Sequence, residues 1–338
     1  MQILENCAYI AGGKISDCFI DPRDHDISEI TKLGENRGEI MTILIGCSGW
    51  SYDDWVGSFY PPELAKRKGE WLAYYARYFR TVEINSTFYH PPGERQVASW
   101  IQKGSKLEDF EYSLKMPQLV THEHMVREKT EDAQRLAAAF DKGCIQPLHR
   151  AGLLGSVLLQ LSPYFPKNAA NLKTLISVLD SLSFLDYDYA VEFRHRSWLD
   201  GEGELIDPEA MAILKERNIS TVLIDGPGLH IRQGKSASHV CIRFHGRNYD
   251  IWHLGEREKR EDDFRLNRYD YLYPIEQLES WIPRIKEAEI GEQMVRIYFN
   301  NHARSKAAAN AFQLMDLLEI PHEPKKIRLQ NQFTLGCF

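Results

Sequence analysis

The chain has 338 residues, of which 43% are hydrophobic and 26% charged, and its formal net charge is −7. This composition is typical of a globular protein and excludes a fibrous or wholly disordered one. No apolar stretch approaches the ~20 residues that cross a bilayer, and no charged leader precedes an apolar segment at the N-terminus. We therefore expect a cytoplasmic protein without a membrane partner.

The charge is unevenly distributed. Residues 1–40 carry four basic and eight acidic side chains, and the rest of the chain is close to neutral. A broad nucleic-acid surface is therefore not predicted, although a local basic pocket stays open. The six cysteines show neither CxxC nor CxxH spacing, which favours free thiols over a disulfide framework or a zinc site.

Residues 1–40 mix Gly, Asp, Glu and Asn and show no sustained helical or strand period. We predict a poorly structured N-terminal arm there. Because a clear strand begins at Met41, the arm is interpreted either as an upstream extension or misplaced start, or as a lead-in that covers the bottom of the domain.

From residue 41 to about residue 320, apolar runs alternate with amphipathic helical patterns. Eight strands are predicted, at residues 43–47, 81–85, 110–115, 153–161, 189–193, 219–225, 240–245 and 293–299. Helices are predicted at residues 70–79, 94–103, 131–142, 169–182, 208–217, 275–289 and 305–318. Strands separated by helices in this number predict an α/β fold, a single-domain (β/α)8 TIM-like barrel, rather than an open sheet.

Two segments break the alternation. No helix is predicted between residues 225 and 240, where Gly and Pro recur. Residues 256–263 are all charged, and we expect a solvated excursion over the barrel mouth. Residues 321–338 have no strong period and are predicted to form a C-terminal tail.

Many of the predicted strands finish in polar side chains. The stretch YAVEFRHRSW (189–198), for example, runs from an apolar strand into a carboxylate, a guanidinium and an imidazole. In a barrel the C-terminal strand ends meet on one face, where the chemistry is carried out. The residues predicted to meet there are Ser48, Glu83, Asn85, Lys115, Gln160, Glu192, Arg194, His195, Asp225, Arg243, His245, Asn300 and Asn301.

Several separated motifs occur in one order along the chain. They are GCSGWSY (46–52), Trp55, FYP (59–61), YY (74–75), VEINSTFY (82–89), KMP (115–117), TH (121–122), QL (160–161), EFRH (192–195), Trp198, RFHG (243–246) and FNN (299–301). Together they resemble the family of unknown function called DUF72, or YecE-like, over residues 42–318. The resemblance implies a TIM-like barrel and no established reaction.

The leading hypothesis is a hydrolase or lyase that acts on a small anionic or phosphorylated ligand. The candidate catalytic residues, as general acids or bases, are Glu83, Glu192, His195, Asp225 and His245. Basic and polar neighbours would hold the anion. These candidate ligand-binding residues are Ser48, Trp50, Asn85, Tyr89, Lys115, Gln160, Arg194, Arg243, Asn300 and Asn301.

Two other functions stay open. The same acids and histidines could ligate one or two divalent metals in a phosphodiesterase or endonuclease-like barrel, although neighbouring cations would repel a metal. A non-catalytic module could instead bind a nucleotide or a partner through aromatic side chains. These are Trp50, Tyr52, Trp55, Tyr60, Phe88 and Tyr89.

Structural interpretations compete with each of these assignments. Glu and Arg at strand ends can pair for packing alone, and rim aromatics can simply cover the barrel. No GxGxxG, GxxxxGK[ST] or nucleophile-elbow motif occurs, so no nucleotide cofactor or serine nucleophile is indicated. The sequence indicates no oligomeric state.

Overall fold

The structure, a computed structural model, describes residues 43–200, 205–227, 231, 235–248, 268–290, 294–327 and 329. The chain divides into two units, Met1–Met41 and Thr42–Phe338, and every described residue belongs to the second. The predicted N-terminal arm, the charged segment at 256–263 and most of the predicted tail lie outside the described residues.

Eight parallel strands close into a barrel in chain order, which confirms the predicted fold. Each strand is a short, largely buried run, because helices cover the outside of a parallel barrel and side chains fill its inside. The ring closes where the first strand pairs with the last, from Ile43 with Val295 to Cys47 with Phe299. The strands are β1 (Ile43–Ser48), β2 (Thr81–Ile84), β3 (Glu111–Lys115), β4 (Leu154–Gln160), β5 (Asp188–Glu192), β6 (Ser220–Asp225), β7 (His239–Phe244) and β8 (Met294–Phe299).

Helices connect most of the strands. They are α1 (Trp71–Tyr75), α2 (Ser86–Tyr89), α3 (Glu94–Gly104), α4 (Thr130–Phe140), α5 (Gln146–Arg150), α6 (Ala169–Asp180), α7 (Pro208–Glu216), α8 (Ile275–Glu279), α9 (Ile282–Ile290) and α10 (Lys306–Leu317). Side chains fix some of their starts. The Asp207 carboxylate accepts from the backbone N–H groups of Glu209 and Ala210, and Pro208 takes the first helical position of α7.

The predicted helix limits differ from the structure at several places, and the helix predicted at 275–289 is divided into α8 and α9. The helix predicted at 70–79 is α-helical only over Trp71–Tyr75, and the following residues continue as turns. The helix predicted at 131–142 begins at Thr130 itself. The Thr130 hydroxyl bonds to the Thr174 hydroxyl at 3.1 Å instead of capping the helix. A π-helical turn, Asp141–Ile145, then joins α4 to α5.

The barrel interior contains charged side chains at its N-terminal end. Arg296 donates from Nε and Nη2 to Glu111 at 2.8 and 3.0 Å, and from Nη1 to Asp188 at 2.7 Å. Arg296 is nearly buried, so these pairs offset the cost of removing its charge from water.

The structure also bears on the predictions for the cysteines, the β6–β7 connection and membrane-spanning helices. Cys47, Cys144 and Cys241 are buried free thiols. The described residues between β6 and β7 form no helix, and residues 228–230 and 232–234 of this segment lie outside the described residues. Among the helices the structure describes, none is both long enough and apolar enough to cross a bilayer.

Candidate functional site

A cavity of about 1160 Å³ opens at the C-terminal ends of the strands. Its walls come from residues at or after the ends of all eight strands, with Arg268 and Tyr269 following β7. Its volume would hold a ligand of ordinary cofactor size. The described residues that line it are Gly49, Trp50, Ser51, Tyr52, Ile84, Asn85, Ser86, Phe88, Tyr89, Gln96, Trp100, Lys115, His122, Gln160, Pro163, Tyr164, Arg194, Arg196, Pro227, Arg268, Tyr269, Asn300 and His302.

The described lining is cationic. It includes the side chains of Lys115, Arg194, Arg196 and Arg268, whereas none of the described lining residues is Asp or Glu. Cationic donors in a concave, partly desolvated site attract phosphates and carboxylates. The cavity therefore has the electrostatic character of an anion site.

The predicted acids Glu83 and Glu192 lie inside the barrel on either side of Arg243. Arg243 donates to Glu83 from Nε at 2.9 Å and Nη2 at 2.7 Å, and to Glu192 from Nη1 at 2.5 Å. All three residues are at most 1% exposed. We call them the Glu–Arg–Glu cluster. Burial alone would lower the pKa of Arg243, but Glu192 and Glu83 outweigh it and raise that pKa.

Arg194 links this cluster to the cavity. Its Nε lies 2.5 Å from Glu192 Oε1, and its Nη2 lies 3.5 Å from Oε1 of the lining residue Gln160. Burial would raise the pKa of Glu192, but Arg194 and Arg243 together hold it well below its usual range. Glu192 therefore stays ionised near neutral pH, and it positions Arg194 rather than carrying a proton.

His245 is buried beside the same carboxylate. Its Nδ1 lies 3.0 Å from the Asn300 amide nitrogen, and its Nε2 lies 3.5 Å from Glu192 Oε2. Burial, followed by Arg194 and despite Glu192, lowers the pKa of His245 to about 3. Its Nε2 also lies 3.3 Å from Arg194 Nη2 and 3.3 Å from Arg243 Nη1, so His245 contacts both arginines as well as the carboxylate. His245 is not among the lining residues.

Lys115, at the end of β3, is the most unusual cation of the cavity. It is 7% exposed, and its Nζ lies 3.9 Å from the centre of the Phe88 ring. No carboxylate among the described residues pairs with it. Burial, followed by Arg243, lowers its pKa to about 7. The Thr87 hydroxyl fixes the position of Lys115 by bonding to its backbone N–H and carbonyl at 3.2 and 2.7 Å.

Some predicted site residues point elsewhere. Asp225 accepts from Arg247 at 2.8 and 2.6 Å and from the Trp281 indole at 2.8 Å. Burial would raise its pKa, but these bonds lower it. His195 accepts from the Ser197 backbone N–H at 3.2 Å and starts the turn Arg196–Trp198. Neither Asp225 nor His195 lines the cavity.

Two further predicted residues have mainly structural partners. Asn301 is buried, and its amide donates to the Tyr271 carbonyl and to Asn310 Oδ1, both at 2.8 Å. The backbone carbonyl of Ser48, not its hydroxyl, accepts from Tyr52 at 2.5 Å and from Asn85 at 3.4 Å. Asn85 itself lines the cavity.

The six candidate aromatic residues fall into two groups. Trp50, Tyr52, Phe88 and Tyr89 line the cavity. Trp55 and Tyr60 are at most 1% exposed and belong to the aromatic core. The hypothesis that aromatic side chains bind a nucleotide or a partner therefore applies only to the first four.

Sequence reasoning missed several lining residues. Arg196 is exposed and follows the strand that ends in Glu192, but a turn rather than strand alternation decides its direction. The sequence signal that could have identified Arg196 is its position directly after the EFRH motif. His302 lies just past the FNN motif, where its ring stacks on Tyr52 with centroids 4.4 Å apart. No spacing in the sequence marks Tyr164, Arg268 or Tyr269.

A metal centre is not apparent in the described part of the chain. There, no three His, Cys, Asp or Glu side chains come together as metal ligands. Glu83 and Glu192, named for that alternative, bond to guanidinium groups instead. The metal-dependent function stays a prediction.

Comparison with known proteins gives a consistent family. The family model described as "Protein of unknown function DUF72" matches residues 44–332. The UPF0759 protein YunF of Bacillus subtilis is 27% identical over 286 residues, which cover 83% of this chain and 96% of that relative. The UPF0759 protein YecE of Escherichia coli K12 is 30% identical over 190 residues, 56% of this chain and 61% of that relative.

Solved structures resemble the same barrel. A DUF72 family protein from Thermotoga maritima matches with a TM-score of 0.69 and 31% identity, covering 82% of this chain and 99% of its own. A DUF72 family protein from Enterococcus faecalis matches with a TM-score of 0.66, covering 85% of this chain and 100% of its own. At 22% identity, the second comparison supports the fold alone.

Proposed function

The chain belongs to the DUF72 family, and from this premise we propose that its barrel mouth binds a small anionic ligand and acts on it as a lyase or hydrolase. The ligand carries a phosphate or a carboxylate. One observation carries the proposal: the described lining of the cavity contributes Lys115, Arg194, Arg196 and Arg268 and no carboxylate. Such a surface is complementary to an anion and repels a cation.

The buried carboxylates support this function by holding a cation in place. Arg194 extends toward the cavity while Glu192, completely buried, restrains its Nε. A guanidinium positioned in advance loses less side-chain entropy when it binds an anion. Glu83 and Glu192 are in this view positioning residues, and Arg243 together with Arg194 keeps Glu192 ionised.

Two groups that line the cavity, Lys115 and His122, would transfer protons. The Lys115 amine, with a pKa of about 7, is close to the value that suits a general base at neutral pH. His122 lines the same cavity, and burial, followed by Lys115, lowers its pKa to about 4, so its imidazole is neutral. Its Nδ1 bonds to the Thr121 hydroxyl at 2.9 Å, which leaves Nε2 for a ligand.

Calorimetry with inorganic sulfate and phosphate tests the anion site. Arg196 is exposed, and among the described residues no ion pair fixes its side chain, so Arg196→Gln should weaken binding without harming the fold. The expected loss is roughly tenfold, the value of one charge-assisted hydrogen bond. Lys142→Gln is the matched control, because Lys142 is also exposed but does not line the cavity. Binding that is absent, or unchanged in Arg196→Gln, would contradict the proposal.

The aromatic rim supports a second candidate, a nucleotide-binding module. Tyr164 lines the cavity and is 80% exposed, so its ring offers a face to a base. A nucleoside monophosphate should then bind more tightly than phosphate alone. Tyr164→Ala should remove roughly 1–3 kcal/mol of that difference and leave phosphate binding unchanged.

A further inference from the structure

Two buried lysines of this barrel have opposite surroundings. Lys306 is 4% exposed, and its Nζ lies 2.7 Å from Asp270 Oδ1. Lys115 is 7% exposed, yet within the described residues its Nζ contacts the Phe88 ring and forms no ion pair. A buried ammonium without a counter-ion is costly, so the amine is favoured. Lys306 is therefore part of a structural ion pair, whereas the Lys115 amine lies at the cavity without a counter-ion among the described residues.

The neighbours of Lys115 maintain this state. Arg243 and Arg194 disfavour its charge, while Glu83 and Glu192 favour it. Both carboxylates, however, are already bonded to guanidinium groups. Desolvation is the largest effect, and the pKa falls to about 7. Near neutral pH about half of such an amine is unprotonated, against less than ~0.1% of an ordinary lysine.

We propose that Lys115 is a nucleophile that forms a Schiff base with the carbonyl carbon of an anionic aldehyde or ketone. The inference rests on the proposed anion site, because the acid group of the substrate would bind the arginines of the same cavity. It narrows the substrate class to a 2-oxo acid or a phosphorylated carbonyl compound. The amine lies on a strand end whose backbone Thr87 fixes, so it is positioned before the substrate arrives.

The covalent step is balanced without an external oxidant or reductant. The lone pair of the neutral amine attacks the carbonyl carbon, the C=O π pair moves to oxygen, and a proton passes from nitrogen to that oxygen. A second proton, taken from solvent, then binds to the oxygen. The C–O bond breaks, and water leaves as the nitrogen lone pair forms the C=N bond. The products are a protonated imine and one water, and the reverse reaction with water restores the lysine.

His122 is suitably placed to transfer these protons. Its ring packs edge-on against Phe88, with centroids 4.9 Å apart, and Lys115 Nζ lies over the same Phe88 ring. Both residues line the cavity. The protonated imine would act as an electron sink, so cleavage or proton removal at the adjacent carbon is the chemistry that follows, as in a lyase.

Borohydride trapping tests the inference. The full-length protein is incubated with pyruvate, or with dihydroxyacetone phosphate, and reduced with sodium borohydride. Intact mass and peptide mapping then locate the adduct. One adduct per chain on Lys115 is expected, while Lys306 and exposed lysines such as Lys142 stay unmodified. Lys115→Met should slow trapping roughly a hundredfold, because only ordinary lysines remain, and Lys142→Met should leave the rate unchanged.

Non-carbonyl analogues separate this inference from the proposed function. L-lactate and glycerol 3-phosphate carry the same acid groups without a carbonyl, and calorimetry measures their binding to wild-type protein, Arg196→Gln and Lys115→Arg. If they bind with the expected dependence on Arg196 but no adduct forms on Lys115, the Schiff base is overturned and the anion site stands. If neither analogue nor sulfate binds, the anion site fails and the Schiff base fails with it. Adducts spread over other lysines also overturn it.

Discussion

Arg243 and Glu83 form a bidentate ion pair across the inside of the barrel, with Nε–Oε2 and Nη2–Oε1 distances of 2.9 and 2.7 Å. Glu83 stands at the end of β2 and Arg243 in β7, so the pair joins strands 160 residues apart in sequence. Neither side chain is more than 1% exposed. Removing one partner should therefore lower stability by more than the intact pair contributes to it, because the remaining charge stays buried without a counter-ion.

We predict that Arg243→Met lowers the free energy of unfolding by about 3–5 kcal/mol, because it leaves the carboxylates of Glu83 and Glu192 buried without their shared cation. Urea denaturation measures the change. Arg77→Met is the control, since Arg77 pairs with Glu323 where both side chains are more than half exposed, and its midpoint should not move. Equal effects of the two substitutions would show that the buried cluster does not hold the barrel together.

Sulfate binding should depend on pH through Lys115. Its pKa of about 7 means that the ammonium is present below that pH and lost above it, so affinity should fall as pH rises from about 6 to about 8. Arginines stay charged over this range, and His122 and His302, with pKa values of about 4, titrate below it. The fall should be roughly tenfold.

Lys115→Met should bind sulfate more weakly than wild type at about pH 6 and show a flat profile to about pH 8. Calorimetry at a series of pH values measures both curves. A variant that keeps the wild-type slope would assign the titration to another group.

Buried neutral histidines should make the fold sensitive to acid. Burial is the first cause that lowers the pKa values of His245, His302 and His122, to about 3, 4 and 4. Between these values and about 6.5 the unfolded chain binds protons that the folded chain does not, so stability falls as pH falls through that range. Each histidine contributes up to about 1.4 kcal/mol per pH unit.

The slope of unfolding free energy against pH, measured by urea denaturation from about pH 6.5 to about pH 5, checks this prediction. His245→Asn should reduce the slope by one histidine's share whatever its effect on overall stability. An undiminished slope in His245→Asn would contradict the prediction.

Gly46 in β1 is predicted to tolerate no side chain. A Cβ atom there would lie 2.2 Å from the Thr81 carbonyl oxygen and 3.0 Å from the Tyr75 hydroxyl, and the first of these is backbone. Gly46→Ala should therefore lower stability by about 1–3 kcal/mol or more, through displacement of β1 from its neighbour. Thermal unfolding measures the change.

Gly143 offers the matched control. A Cβ atom there meets nothing within 4 Å, and the residue lies in a helical turn. Gly143→Ala should raise stability by roughly 0.5–1 kcal/mol, because alanine restricts the unfolded chain. If both alanine variants behaved alike, the packing of β1 against Thr81 would not be the cause.

The barrel is predictable from sequence because buried parallel strands are short apolar runs that end in turn residues. The predicted limits 81–85 and 189–193 differ by one residue from Thr81–Ile84 and Asp188–Glu192. Helix ends are harder to predict. Aromatic residues continue to Phe79, which is buried after the α-helix has ended, so hydrophobic periodicity does not mark the end of α1.

The site is predictable only in part. Lys115 and Arg194 stand at or just after strand ends and line the cavity, as their positions suggest. Asp225 also ends a strand, but its partner Arg247 lies on the loop after the next strand, β7, and no sequence spacing reveals that bond. Likewise, the sequence does not show that Arg243 pairs with both predicted acids, Glu83 and Glu192. That outcome depends on side chains meeting across the barrel.

The pairing of β1 with β8 also has a consequence for how the protein is made. A ribosome releases β1 early, and its edge has no partner on that side until residues up to Phe299 have emerged. The rim of the cavity also depends on the C-terminal part of the chain, because the Trp55 indole donates to the His302 carbonyl at 2.6 Å. A nascent chain stalled before Met294 would therefore possess neither a finished ring nor a complete cavity. Until those residues emerge, the unpaired edge of β1 stays open to pairing with other strands.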